Sequence, residues 1–143
     1  MSGRSPWHVG FVGNANTWEC DENGHLNVRH YVDRADQAVA SLFAQVGLGP
    51  RLLDERLLTL RPLHQHMRFH AEVPAGGALL ARAAVVRADA DAVDVLVEVR
   101  DALGAVLHAT VLGRIVLQRL PDCGLVPFAP EQLRALTPWR LDA

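Results

Sequence analysis

The chain has no lysine: all 14 of its basic residues are arginine. Schiff-base chemistry and a lysine nucleophile are thereby excluded. Cysteine is nearly absent too, and Cys20 and Cys123 form neither a CxxC redox motif nor a metal-binding pair. No apolar run approaches the roughly 20 residues needed to cross a bilayer, and no charged, then apolar, then small-residue signal opens the sequence. The expected setting is a reducing cytoplasm, with no membrane partner. A formal charge of only -2 offers no polyanion-binding surface, so nucleic acid is not an expected ligand.

Half of the residues are apolar and 21% are charged, a balance that excludes disorder and supports a packed core. With 143 residues there is room for one core and little for a second. We expect a single domain over residues 1–143, with a core from about 7 to 117 and a C-terminal tail over 118–143.

Hydrophobic spacing divides the chain further. Val9, Phe11 and Val12 suggest a first strand. From 28 to 46, apolar residues recur at Val28, Tyr31, Val32, Ala35, Ala38, Val39, Leu42, Phe43 and Val46, the three-and-four spacing of a helix. Asn27 suits its N-cap and Gly47 the left-handed residue that ends it. After a break and a short turn of helix, the chain alternates like sheet. Leu63, Gln65, Met67, Phe69 and Ala71 fall on one side of a strand, and His64, His66, Arg68 and His70 on the other. Further strands are expected over about 79–87, 93–100 and 106–117, with turns at 74–77 and 101–104 and a short helix near 131–136. Strand, long helix, then consecutive strands specify an α+β fold in which a curved antiparallel sheet covers one central helix.

Chemistry concentrates just before that helix. Between Glu19 and Tyr31 the sequence reads E-C-D-E-N-G-H-L-N-V-R-H-Y, with Asp21, Asn23, His25 and Asn27 at every second position. The helix start adds unpaired N–H groups and the positive end of its dipole. Such a corner can polarise a carbonyl and hold water. Asp-Glu-Asn-Gly is also a strong turn sequence; the elements downstream favour a site.

The motif and element order together resemble the hotdog-fold thioesterases over roughly residues 7–117. In 4-hydroxybenzoyl-CoA thioesterase-like enzymes an acidic-x-Asp segment precedes a Gly and the helix, as Glu19-Cys20-Asp21 and Gly24 do here. Acyl-carrier-protein thioesterases carry D-x-N-x-H-x-N, matched by Asp21, Asn23, His25 and Asn27, with Tyr31 four residues later. The resemblance implies that Asp21 is the catalytic carboxylate, as general base or nucleophile. It implies that Asn23 and His25 position or activate water, and that Asn27 orients the carboxylate and caps the helix. The backbone N–H of Val28 falls where these relatives polarise the thioester carbonyl. The implied substrate is acyl-CoA or acyl-ACP, the implied assembly a homodimer or homotetramer, and no metal or organic cofactor is required. Glu19 stands where the first acidic residue is often Asp. A hotdog hydratase or dehydratase and a non-catalytic acyl-thioester-binding module are the alternatives.

Other candidates carry less. His30 lies on the helix, where a polar or packing role is expected. His64 and His70 would sit about 20 Å apart in extended geometry, so only His64 and His66 could share an ion. The expected role of the three imidazoles is to line an interface or pocket. Arg61, Arg68 and Arg82 are expected as solvated charge, although each could meet coenzyme A phosphates.

Overall fold

The computed structural model describes residues 5–103 and 105–142. Strand β1 (His8–Asn14) leads through one 3-10 turn (Thr17–Glu19) to helix α1 (Val28–Ala44) and then a short helix α2 (Pro50–Glu55). Strands β2 (Leu58–Phe69), β3 (Ala78–Ala88), β4 (Val93–Asp101) and β5 (Leu107–Arg119) follow in succession. Strand β6 (Leu125–Val126), helix α3 (Pro130–Leu136) and a second 3-10 turn (Thr137–Trp139) come next. The sheet order is β1-β3-β4-β5-β2, every neighbour antiparallel, with β6 added to β5. Helix α1 packs on β1, β3, β4 and β5, which is the expected hotdog arrangement. Among the described residues, no helix is long and apolar enough to cross a membrane.

Strand β4 shows why the sheet has one covered face. Val93, Val95, Val97 and Val99 are at most 1% exposed, whereas Asp94, Leu96, Glu98 and Arg100 point to the other side and are half-buried. Against the valines lie Tyr31, Ala35, Ala38, Leu42 and Phe43 of α1, all in the same core. Each large side chain buried this way contributes about 1.5–3 kcal/mol. Register shifts in the strand pairings between Val9 and Phe11, Pro62 and His64, and Val85 and Arg87 mark bulges, which bend a strand and increase its twist. Gly10 lets β1 approach the helix closely: a Cβ there would lie 2.5 Å from the Ala38 Cα.

The helix begins and ends as its capping residues specify, with Asn27 accepting from the Arg29 N–H and Gly47 at φ +84°. Two boundaries differ from expectation. β2 starts at Leu58, not near Leu63, because it is an edge strand, where Pro62 is tolerated without a ladder donor. The segment expected as a tail outside the core is instead part of it. Phe128 is 2% exposed and stacks on Phe43, Leu136 is fully buried, and Trp139 sets its ring edge-on to His8. Arg140 bridges Val85 beyond the last paired residue of β1, so the C-terminal segment takes over the position alongside β3 that β1 vacates. Of the turn expected at 101–104, residue Gly104 lies outside the described residues.

Candidate active site

Glu19 closes the turn that follows β1. Its Oε1 accepts from the backbone N–H and the side-chain amide of Asn16, at 3.1 and 2.9 Å. Arg34, reaching back from the second turn of α1, donates to both carboxylate oxygens at 2.9 and 2.7 Å. The Arg34 hydrogen bond is the main reason that the Glu19 pKa is held down at about 2. Glu19 is therefore engaged as an ion-paired turn residue. Arg34 itself was hidden in the sequence as one more polar position on the helix, yet it is 4% exposed and lies against the Phe11 ring.

Asp21 begins the next turn. Its backbone N–H donates to the His25 carbonyl at 2.8 Å, and its carbonyl accepts from Gly24 at 3.0 Å. Gly24 sits at φ +76°, a conformation other residues adopt only with strain. Within this loop, Asp21 Oδ1 accepts from the backbone N–H groups of Asn23 at 2.9 Å and His25 at 3.2 Å. The loop therefore fixes one carboxylate oxygen. The D-x-N-x-H spacing thus has a local structural use as well as a chemical one.

The chain then crosses the floor of the site. Leu26 donates to Val73 and Asn27 to the Glu19 carbonyl, both at 2.9 Å, anchoring the loop on either side. Asn27 Oδ1 accepts from the Arg29 N–H at 3.3 Å and leaves Val28 as the first residue of α1. A first-turn amide has no acceptor within its own helix, and the Val28 N–H has no partner among the described residues.

These elements border a cavity of about 470 Å³ lined by Asp21, Asn27 and Val28 on one side, Tyr31 from α1, and Phe69, His70 and Glu72 from the end of β2 and beyond. Three of the five candidate residues are thus brought together. Asn23 and His25 are not part of the lining. Asn23 contributes its backbone to the turn, and His25 Nδ1 lies 3.2 Å from Glu72 Oε2 at the rim. Burial pushes the Tyr31 phenol up, with the Glu72 charge acting in the same direction. Tyr31 and Phe69 meet edge to face at 5.3 Å.

Phe69 and Glu72 carried no sequence signal beyond strand alternation. Their role in the lining comes from β2 ending beside the start of α1. His70 reaches the same cavity, and its Nε2 lies 3.4 Å from Thr110 Oγ1. Among the described residues, His64, His66 and His70 gather no metal-ligating cluster. His30 sits between Glu19 and Asp33, at 3.4 and 3.2 Å, in the polar role expected. Arg82 is not free charge: it pairs with Glu98 at 2.6 Å and covers the Trp7 ring.

One helical turn further along α1 and four residues back along β2, a second cavity of about 270 Å³ opens between helix and sheet. Its walls include Ala35, Val39, Leu60, Val97, Val111 and Ile115, with Asp36 and Gln65 as polar exceptions. The Tyr31 and Phe69 rings line the first cavity, one helical turn from Ala35 and four residues from Gln65 of the second. The first cavity gathers Asp21 and the first residue of α1, and the second is a mostly apolar recess.

A family model described as the thioesterase-like superfamily matches residues 15–136. Comparison with curated protein sequences finds no match. Among solved structures, a hypothetical protein from Staphylococcus aureus determined in complex with CoA superposes with a TM-score of 0.84 at 14% identity, covering 97% of this chain and 85% of its own. A 1,4-dihydroxy-2-naphthoyl-CoA thioesterase from Synechocystis gives 0.79 at 19% identity, covering 96% and 98%. The dynemicin thioesterase gives 0.81 at 20% identity, covering 98% and 100%. At such identities these likenesses establish the fold.

Proposed function

The chain belongs to the thioesterase-like superfamily, and on that premise we propose that it hydrolyses an acyl-CoA thioester to the free acid and coenzyme A. The observation that supports this reading is that Asp21 and Val28, the first residue of α1, line one cavity. Relatives of the same fold that are named CoA thioesterases, and one determined with CoA bound, support coenzyme A as the carrier.

In this reading the thioester carbonyl oxygen sits at the head of α1. The Val28 N–H and the helix dipole stabilise the negative charge that develops there. Asp21 serves either as general base, taking a proton from the attacking water, or as nucleophile, forming an anhydride that water then opens. Both routes break the C–S bond and release a thiolate that needs little protonation. Asp21 is suited to either role because the turn holds Oδ1, while Oδ2 accepts no hydrogen bond among the described residues. Asn27 contributes by setting the helix start. Asn23 shapes the Asp21 loop, and His25, paired with Glu72, fixes the rim where water and the leaving thiol pass. The acyl group extends past Tyr31 and Phe69 into the recess between α1 and the sheet. Phe69 is half exposed, so its ring can rotate without disturbing the core.

The working unit in this reading is a homodimer or homotetramer. β2 is an edge strand with Leu63 and Phe69 exposed, and its end supplies one wall of the first cavity, so a second copy laid along it would close that wall. Sedimentation velocity tests the assembly. The activity is tested by following free-thiol release from a panel of acyl-CoA and acyl-ACP substrates. Release from acyl-CoA supports the reading; tight binding without release favours a binding module, and hydration of enoyl substrates favours the other reaction class.

A further inference from the structure

Two polar side chains interrupt the otherwise apolar second cavity. Asp36 and Gln65 face each other across its rim, with Gln65 Nε2 donating to Asp36 Oδ1 at 3.5 Å. That length is at the limit of a hydrogen bond, so a better partner can displace it. Eight residues separate Val28 from Asp36, which places the carboxylate about 12 Å along the helix axis from the oxyanion site. A dry apolar cavity of about 150 Å³ holds benzene, so the recess of about 270 Å³ has room for a medium-length acyl chain whose end reaches this pair.

The surroundings of Asp36 define what it can accept. No arginine or histidine lines the cavity. Burial raises the Asp36 pKa, the Gln65 hydrogen bond lowers it, and the nearby Asp33 charge raises it again. Its negative charge therefore lacks a cationic partner in the lining.

Resting on the thioesterase reading above, we infer that Asp36 and Gln65 set acyl specificity, selecting a chain that ends in a hydrogen-bond donor such as a hydroxyl and rejecting one that ends in a second carboxylate. A terminal hydroxyl donates to Asp36 and accepts from Gln65. Asp36 and Gln65 are both exposed at the rim of the recess, and a terminal carboxylate arriving there meets a like charge. A terminal methyl leaves the pair intact and gains only apolar contact.

S-(2-oxoalkyl)-CoA thioethers lack the scissile bond and measure this preference without turnover. Versions matching octanoyl, 8-hydroxyoctanoyl and octanedioyl chains are titrated by calorimetry into wild-type protein and into Asp36→Asn, Asp36→Leu and Gln65→Leu variants, with folding checked by circular dichroism. In the wild type the hydroxyl-ended analogue binds about tenfold tighter than the methyl-ended one, and the carboxylate-ended one about tenfold weaker. Asp36→Asn removes the bias against carboxylate, Asp36→Leu reverses the order in favour of methyl, and Gln65→Leu weakens the hydroxyl preference. A flat wild-type ranking, no binding, or a ranking unchanged in both Asp36 variants overturns the inference. Thiol release from the corresponding thioesters is scored separately. Release with a flat ranking defeats the specificity pair alone, whereas ranked binding without release defeats the hydrolase reading and leaves the pair supported.

Discussion

Arg34 grips Glu19 with two guanidinium nitrogens, at 2.7 and 2.9 Å, and so ties the turn ahead of α1 to the buried face of the helix. The side chains are only 5% and 12% exposed. Truncating one partner leaves the other charge buried, so Glu19→Gln lowers unfolding stability by about 2 kcal/mol. The acid limb of the stability profile changes as well. The Glu19 pKa is depressed from the ordinary 4.5 to about 2, so its contribution is complete above pH 4.5 and is lost as pH falls from 4.5 toward 2. Chemical denaturation between pH 2 and 6 shows a shallower slope in Glu19→Gln than in the wild type.

Val28 separates a main-chain role from a side-chain role. Its side chain is exposed, so Val28→Ala keeps kcat and KM close to wild type. Proline at the first helical position fits the helix geometry but removes the N–H. Val28→Pro therefore lowers kcat by about 10²- to 10³-fold with the melting temperature little changed. Steady-state kinetics alongside thermal denaturation check both halves of this expectation.

Phe128 tests the integration of the C-terminal segment. It is 2% exposed and its ring lies 6.0 Å from that of Phe43, in a stacked pair. Phe128→Ala costs about 3–5 kcal/mol in urea unfolding. A segment that merely trailed from the sheet would tolerate the change.

Gly10 tests how closely β1 lies on α1. With the Ala38 Cα 2.5 Å from where a Cβ would be, Gly10→Ala forces strand and helix apart. The expected loss is about 1–3 kcal/mol, read from the unfolding midpoint.

Much of this architecture was legible because α1 and β4 advertise themselves: three-and-four spacing with Asn27 and Gly47 at the helix ends, and strict alternation of valines with polar residues in the strand. Asp21 and Val28 were legible as candidates because motif and helix start adjoin. The rest depended on long-range packing. Nothing local distinguishes Arg34 from Arg29, yet one is buried against Glu19 and the other is exposed on the opposite side of the first turn. Phe69, Glu72 and Gln65 reach the cavities because β2 lies at the sheet edge beside α1, a relation fixed by strand order. Phe128 and Trp139 sit among Pro-rich residues that read as tail, and long-range packing, on Phe43 and beside His8 respectively, brings them into the core.

The most direct test of the central claim is single-turnover thiol release by wild type, Asp21→Asn and Asp21→Ala with one good acyl-CoA substrate, combined with calorimetric binding of its thioether analogue. Asn keeps an oxygen that can accept from the Asn23 and His25 amides, so the loop survives in that variant. The expected result is affinity within a few-fold of wild type and a rate lowered by about 10²- to 10⁴-fold in both variants. Undiminished thiol release from folded Asp21→Asn protein would contradict the account.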